Sequence, residues 1–413
     1  MTDKRHHWRS TRARVGRLSL LALVPALALA TACGGDDSSS SSTDDAPETT
    51  LPDNAATGSP IRIGLLSPEG GAAISLPGNR EAAEAVVAYA NANLGGIGGH
   101  RVELVTCATK EDPASNRDCA NRMVEERVTA VVVTASAFGD TMVPVIVGAG
   151  IPYVVANASS AAEMTTPGAY SLTGGYPGVL QGMATYAAER GHKKTTIFVL
   201  DSPATVVTAN SMGKAAFSAK GIELNVVPIP AGTPDATPQV SSGIGSDVGA
   251  VAIAADPTLC TSVLKALDTL GAGQDKMLVQ PCSDPSTVEA VGDALDGAQV
   301  FSTSDLTSDD PEAVLYRTVM KQYAPNTELS GLTYAGYQST LGLVRAAQGV
   351  TGEPTAAAVS AALTSARNVP LPVGHGITFS CDSSVPQLPA LCSTDMVRVT
   401  LRDGVATDPQ VTK

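Results

Sequence analysis

The chain has 413 residues, 27 Lys and Arg against 40 Asp and Glu for a net charge of −13, and an aromatic content of 4%. An acidic balance of this size excludes nucleic acid as the expected partner, because that binding rests on neutralising phosphates with basic side chains. The length exceeds what one hydrophobic core usually accommodates, so two lobes are expected.

At the N-terminus, Lys4, Arg5, Arg9, Arg12, Arg14 and Arg17 precede an apolar run from Leu18 to Ala30, broken only by Ser19 and Pro25. A basic head followed by an apolar stretch too short to span a bilayer has the form of a secretory signal peptide. It leads into Ala30-Thr31-Ala32-Cys33-Gly34-Gly35, which resembles a bacterial lipobox, with Ala30 where that motif has leucine. Residues 1–32 are therefore read as a signal peptide and Cys33 as a lipid-bearing N-terminus that anchors the exported protein to the bilayer; two or three acyl chains hold firmly where one is marginal. Removing residues 1–32, which carry six Lys/Arg and one Asp, takes the net charge from −13 to −18. Residues 33–59 are read as a disordered tether, because Asp36 to Ser59 is rich in Ser, Thr, Asp, Pro and Gly and has almost no apolar surface to bury.

Seven cysteines occur, and setting Cys33 aside leaves six that can pair completely. In an oxidising compartment disulfides persist. Short separations favour Cys107 with Cys119, Cys260 with Cys282, and Cys381 with Cys392, although six cysteines allow fifteen connectivities. No Cys-x-x-Cys occurs and His6, His7, His100, His192 and His375 form no ligand spacing, so no metal is expected. No other cofactor is called for.

From residue 60, β-branched runs alternate with Ala-rich helical stretches, the pattern of an α/β fold in which parallel sheets are covered by helices. The series begins with a strand over 61–66, a helix over 80–93, a strand over 101–107 and a helix over 115–127. Residues 130–134 and 152–156 are further strands around a helix near 140–148. A second series has a helix over 178–190, a strand over 195–200, a helix over 207–220, strands over 223–228 and 250–254, a helix over 258–270 and a strand over 277–280. Asn79 and Ser115 are placed as helix caps, and Gly191 and Gly221 as helix ends. The stretch from Gly376 to Leu401 reads as two short strands around a loop that Cys381 and Cys392 close. The glycines at 95–99 follow a helix and precede a strand, the reverse of a phosphate-binding loop, and read as a tight turn.

The order of several motifs resembles the leucine/isoleucine/valine-binding proteins, which are type I periplasmic binding proteins. These are Asn91-Ala92-Asn93-Leu94-Gly95-Gly96-Ile97-Gly98-Gly99 before Val102-Glu103-Leu104, Asp112-Pro113, Gly150-Ile151-Pro152-Tyr153 leading to Asn157-Ala158-Ser159-Ser160, and Tyr334-Ala335-Gly336-Tyr337-Gln338-Ser339. The resemblance covers about residues 60–405. It implies two doubly wound parallel-sheet lobes joined by a three-strand hinge, with crossovers near Gly174–Pro177, Ser302–Asp305 and Pro370–Gly374. Lobe one would take residues 60–175 plus 305–370, and lobe two 176–304 plus 371–413.

Open parallel sheets bind ligands beyond the carboxyl ends of their strands. In lobe one that rule selects Ser67 and Glu69, then Ser136, Ala137 and Phe138, then Ala158, Ser159 and Ser160. The resemblance implies that the last two loops hold a ligand carboxylate with hydroxyls and backbone amides, although each serine is equally suited to capping a helix. In lobe two the rule selects Asp201, Thr205, Asp256, Ser283 and Asp284. Where the family has an acidic residue after a proline to grip the ligand ammonium, this chain has Gln280-Pro281-Cys282, and the family's ligand-covering tyrosines are not evident in the matching loops. The implied role is an extracytoplasmic, lipid-anchored solute-binding component of an ABC importer. It would capture a small polar solute, an amino acid or a related amide or organic acid, and hand it to a membrane permease. A ligand-sensing receptor coupled to a membrane signalling protein is the alternative. No Gly-x-Ser-x-Gly, His-Glu-x-x-His or phosphate loop is present, so catalysis is not expected.

Overall fold

The central β-branched runs, such as those at 130–133 and 250–254, form strands that are buried on both faces. A computed structural model describes residues 48–71, 74–329, 331–385 and 387–412; the expected signal peptide, Cys33 and most of the expected tether lie outside the described residues. The first sheet contains β1 (Gly58–Ser67), β2 (His100–Ala108), β3 (Ala130–Val133), β4 (Tyr153–Val155) and β5 (Ala169–Ser171). Its order is β2-β1-β3-β4-β5 and every pairing is parallel. Alternate residues of a strand point to opposite faces. Ile61, Ile63, Leu65, Ala130 and Val132 accordingly enter one core cluster, while Leu66, Val131 and Val133 enter another. Helices α1 (Pro77–Asn93), α2 (Pro113–Glu125), α3 (Gly139–Gly148) and α4 (Ala161–Thr165) carry the chain back between strands.

Helix α5 (Gly175–Glu189) opens the second series, followed by β6 (Lys194–Leu200), α6 (Pro203–Thr208), α7 (Lys214–Ala219), β7 (Glu223–Ile229), α8 (Thr237–Gly243) and β8 (Ala250–Ala254). Next come α9 (Pro257–Thr269), β9 (Asp275–Val279), α10 (Pro285–Val291) and β10 (Gln299–Ser302). Three helices follow, α11 (Pro311–Tyr323), α12 (Thr333–Ala347) and α13 (Ala356–Ser365), then β11 (Val369–Pro370), β12 (Thr378–Phe379), β13 (Met396–Arg402) and β14 (Val405–Thr412). The second sheet has the order β14-β13-β10-β9-β8-β6-β7. Its strands show the same division: Phe198, Val251 and Ile253 enter one cluster, and Ile197, Val199, Ala250 and Ala252 another.

The second sheet is mixed rather than wholly parallel, because β13 pairs antiparallel with β10 and β14 antiparallel with β13. Asp403 and Gly404 link this hairpin with φ of 50° and 74°, the left-handed pair that a tight two-residue hairpin turn requires. The helix expected over 207–220 is α6 and α7 joined by a π-helical turn at Ala209–Gly213. Helix α1 begins at Pro77, with Asn79 buried inside it. Helix α2 is capped by Asp112, which accepts from the amides of Ala114 and Ser115 at 3.0 and 2.9 Å, and not by Ser115.

Residues 51–56, expected to belong to the tether, are instead docked on the fold. The amide of Ala56 donates to Asn91 O at 2.8 Å, Gly95 N to Asn54 O at 2.6 Å, and Leu51 packs against the first-sheet core. The glycine cluster is a tight turn as expected: Gly96 has φ of +67°, and a Cβ there would fall 1.9 Å from His100 O. The described residues, 48 onward, form one compact unit that contains all the core clusters.

The chain leaves the first sheet after β5 and enters α5, and it leaves the second after β10 toward α11. The return lies later than Pro370–Gly374. Residues 390–392 pair with β5, through Ser171 N to Ala390 O and Cys392 N to Ser171 O, both at 2.8 Å. Leu371, Val373, Ile377 and Phe379, expected in lobe two, pack in the first-sheet core. The free edge of β5 holds this segment, so the chain reaches the second sheet only at Met396.

Helix α12 packs closely on α1. A Cβ on Gly336 would lie 1.8 Å from Asn79 O, so only glycine permits this approach. Gln338 of the same helix donates to Thr303 O at 3.0 Å and to Pro372 O at 2.9 Å, tying the segment after β10 to the one after β11. Gly336→Ala is expected to destabilise by about 1–3 kcal/mol, read as a lower urea midpoint with an unchanged m-value. An unchanged midpoint would show that α12 can shift without loss.

Candidate functional site

Both sheets present the carboxyl ends of their strands to one cavity of about 540 Å³. Its walls are Ala137, Asn157, Ala158 and Ser159 beyond β3 and β4, and Ser202 and Thr205 beyond β6. Ala255 and Asp256 beyond β8, Gln280 and Pro281 beyond β9, and Thr303 beyond β10 complete the loop contribution. Gly175, Tyr176 and Val179 come from α5, and Leu332 and Tyr334 from the start of α12. Met164, Leu200, Val279 and Phe301 supply most of the remaining surface. A few polar groups on a mainly apolar wall is the usual composition of a small-molecule site.

Of the residues selected from strand ends, Ala137, Ala158, Ser159, Thr205 and Asp256 line this cavity; Ser67, Glu69, Ser136, Phe138, Ser160, Asp201 and Ser283 do not. Ser67 and Glu69 face a separate hollow of about 190 Å³, where Glu69 is 3.0 Å from Arg80. Ser160 is the N-cap of α4 and forms a capping box with Glu163. Asp256 caps α9, accepting from the amides of Thr258 and Leu259 at 2.9 and 3.1 Å. Ser283 donates to Gln280 O at 2.8 Å. Asp201 is exposed, with its amide on Ile229 O. Burial pushes the Asp284 carboxyl up from its usual range, but the residue stands outside the cavity wall.

The amides expected to hold a ligand carboxylate are already engaged. Ala137 N donates to Glu111 Oε2 at 2.9 Å, and Phe138 N to Ser136 Oγ at 3.0 Å. Ala158 N donates to Ser171 Oγ at 3.0 Å, and Ser159 N and Ser160 N both donate to Glu163 Oε2, at 2.9 and 3.0 Å. Glu163 is fully buried, and its other oxygen accepts from the Tyr153 hydroxyl at 2.6 Å. Burial drives the Glu163 carboxyl up from its usual range, and the hydrogen bonds pull it back only in part. Burial first, then the neighbouring Glu163, holds the Tyr153 phenol far above its ordinary value, so it remains a donor.

Residues beyond the initial selection complete the site. Asn157 Oδ1 accepts from Thr173 Oγ1 at 2.8 Å and from Thr303 Oγ1 at 3.0 Å, joining the end of the first sheet to the segment after β10. Tyr334 lies beside Thr303, Ser304 and Asn157. Tyr176 lines the wall with a buried hydroxyl that has no partner among the described residues. Tyrosines therefore do border the cavity, but from helix starts rather than from the loops where the family pattern places them. Asn157 and Gln280 stand one or two residues past a strand end, which is the signal that finds them.

Cys107–Cys119, Cys260–Cys282 and Cys381–Cys392 are bonded as expected. Cys282 stands in the turn after β9 and Cys260 in the first turn of α9. Their bridge fixes the loop that carries Gln280 and Pro281. Among the described residues no group of His, Cys, Asp and Glu could hold a metal ion.

Two α/β lobes with a cavity at their facing strand ends define a two-lobed solute-binding protein. The chain belongs to the periplasmic binding protein family, whose pattern matches residues 60–390. Its fold is similar to a leucine-binding protein from Thermotoga maritima (19% identity, 85% of this chain and 98% of that one, TM-score 0.67). An ABC transporter substrate-binding protein from Sphaerobacter thermophilus is similar as well (20%, 86% and 97%, 0.71). So is a fatty acid ABC transporter substrate-binding protein from Thermomonospora curvata (14%, 88% and 94%, 0.69). No curated protein matches the chain by sequence.

A group whose folded pKa is raised lends stability that is fully present below its unfolded pKa and is lost as pH rises through the folded value. Glu163 is such a group. The difference in unfolding free energy between the native chain and Glu163→Gln is expected to shrink from pH ~4 to pH ~7, since an unfolded Glu titrates near ~4.3. A difference that grows over this window would show that the hydrogen bonds outweigh burial. Replacing Cys260 and Cys282 together by Ala is expected to cost about 3 kcal/mol for a loop of this size, measured by denaturant unfolding.

Proposed function

We propose that this protein is the extracytoplasmic solute-binding component of an ABC importer, anchored to the bilayer through lipid on Cys33, and that it captures one small molecule between its lobes for delivery to a membrane permease. The observation that carries the reading is the cavity, walled from both lobes by strand-end loops and crossed by few connections. Three segments join the sheets, after β5, after β10 and before β13. Such a geometry suits a hinge that closes on its ligand. Asn157 and Thr303 meet where the first two of these segments pass the cavity, so a ligand there touches the joint itself.

The solved relatives include proteins named for leucine and for fatty acid, so the shared fold leaves the solute to the lining residues. Among the described residues no helix is long and apolar enough to cross a membrane, and attachment therefore rests in this reading on Cys33. Cys33→Ala is expected to move the protein from the membrane fraction to the medium. Retention of Cys33→Ala on membranes would refute the lipid anchor. A bound solute at 100 times its dissociation constant stabilises by about 2.7 kcal/mol and raises Tm by several degrees. Thr205→Trp, which fills the cavity, is expected to abolish that shift; a shift of unchanged size would place the ligand elsewhere.

A further inference from the structure

The binding role proposed above leaves the solute open, and the present inference rests on that role. We infer that the cavity takes an uncharged, largely apolar solute whose polar atoms meet the carboxamides of Asn157 and Gln280, rather than a zwitterionic amino acid or an organic anion.

The loops that would grip a carboxylate have no amide to offer. Five successive candidates, on Ala137, Phe138, Ala158, Ser159 and Ser160, are bonded within the protein, three of them to carboxylates. Glu111 and Glu163 thus stand behind the cavity wall and occupy the donors that a ligand anion would need. The chain accepts strain to keep Glu111 there: Lys110 and Glu111 both adopt φ of 51°, a left-handed conformation that L-residues with a Cβ avoid. Glu111 also accepts from Thr109 Oγ1 at 3.0 Å, which fixes its direction.

No Lys, Arg or His lines the cavity among the described residues. A carboxylate entering it would lose its water without an opposite charge, which disfavours entry strongly. Asp256 is the one charged wall residue, and one of its oxygens accepts two amide hydrogens as the cap of α9. Its second oxygen is the one charged atom the wall leaves open, and the other polar groups that remain to meet a ligand are neutral. Asn157 has its oxygen engaged by two hydroxyls, so its Nδ2, beside the Tyr334 hydroxyl, is the donor it can turn to a ligand, and Gln280 offers both donor and acceptor from the opposite lobe. Met164, Val179, Leu200, Val279, Phe301 and Leu332 form the apolar remainder. One neutral polar atom bridging Asn157 and Gln280 would join the lobes while the rest of the solute is buried.

The test uses the chain from Gly34 onward, which contains the whole compact unit, and calorimetric titration with octanamide, octanol, octanoate, octylamine and L-leucine. A neutral probe is expected to bind at least tenfold more tightly than octanoate and octylamine, with no heat from L-leucine. Gln280→Leu should weaken octanamide by about threefold to tenfold, the worth of one hydrogen bond. Tighter binding of octanoate, octylamine or L-leucine, silence from the whole set, or an unchanged octanamide affinity in Gln280→Leu would overturn the inference. Thr205→Trp separates the two levels. L-Leucine binding that is lost in this variant would refute the solute class and leave the cavity reading intact. Octanamide binding that survives it would refute the cavity reading itself.

Discussion

Parallel pairing is the constraint on which the rest of this structure depends. A parallel strand cannot be followed directly by its neighbour, so the chain must return over a face of the sheet, usually as a helix. Each return begins where a strand ends, and all the strand ends of one sheet lie at one edge. With two such sheets in one chain and short segments between them, the two edges can face each other. The cavity exists because β3, β4, β6, β8, β9 and β10 all end there.

That edge is rich in unpaired amides, and the protein disposes of them in a specific way. Backbone groups removed from water need partners. Here Glu111, Glu163, Asp112 and Asp256 supply many of them, as caps or as loop clamps. In an amino-acid receptor the ligand carboxylate could complete the same hydrogen bonds. In this chain the loop amides are completed by its own side chains before any ligand arrives, which leaves no anion site to offer. Binding selectivity then passes to the neutral carboxamides and to the apolar wall.

Much of the fold was legible in the sequence because burial on two faces leaves a strong mark. Runs such as Ala130-Val131-Val132-Val133 and Ala250-Val251-Ala252-Ile253-Ala254 read as strands without help, and the helices between them carry clear glycine ends at Gly191 and Gly221. Short separation favoured the three cysteine pairs that the structure shows, among fifteen possible connectivities. The antiparallel hairpin was missed although Asp403-Gly404 is a strong hairpin signal. The ordered stretch before β1 was missed because Leu51 is the one large apolar residue in a polar segment, and its docking depends on backbone groups that composition does not show. Of the candidate site, strand-end position selected five residues that line the cavity, Ala137, Ala158, Ser159, Thr205 and Asp256, but it could not show that Glu163 reaches back four residues to occupy Ser159 N, or that α12 brings Tyr334 across from a distant part of the chain.

The most direct test of the account is a crystal structure of the chain with its natural solute bound. The account predicts the solute between Asn157 and Gln280, with the amides of Ser159 and Ser160 still donating to Glu163. A solute carboxylate on those two amides, with Glu163 displaced from them, would contradict it.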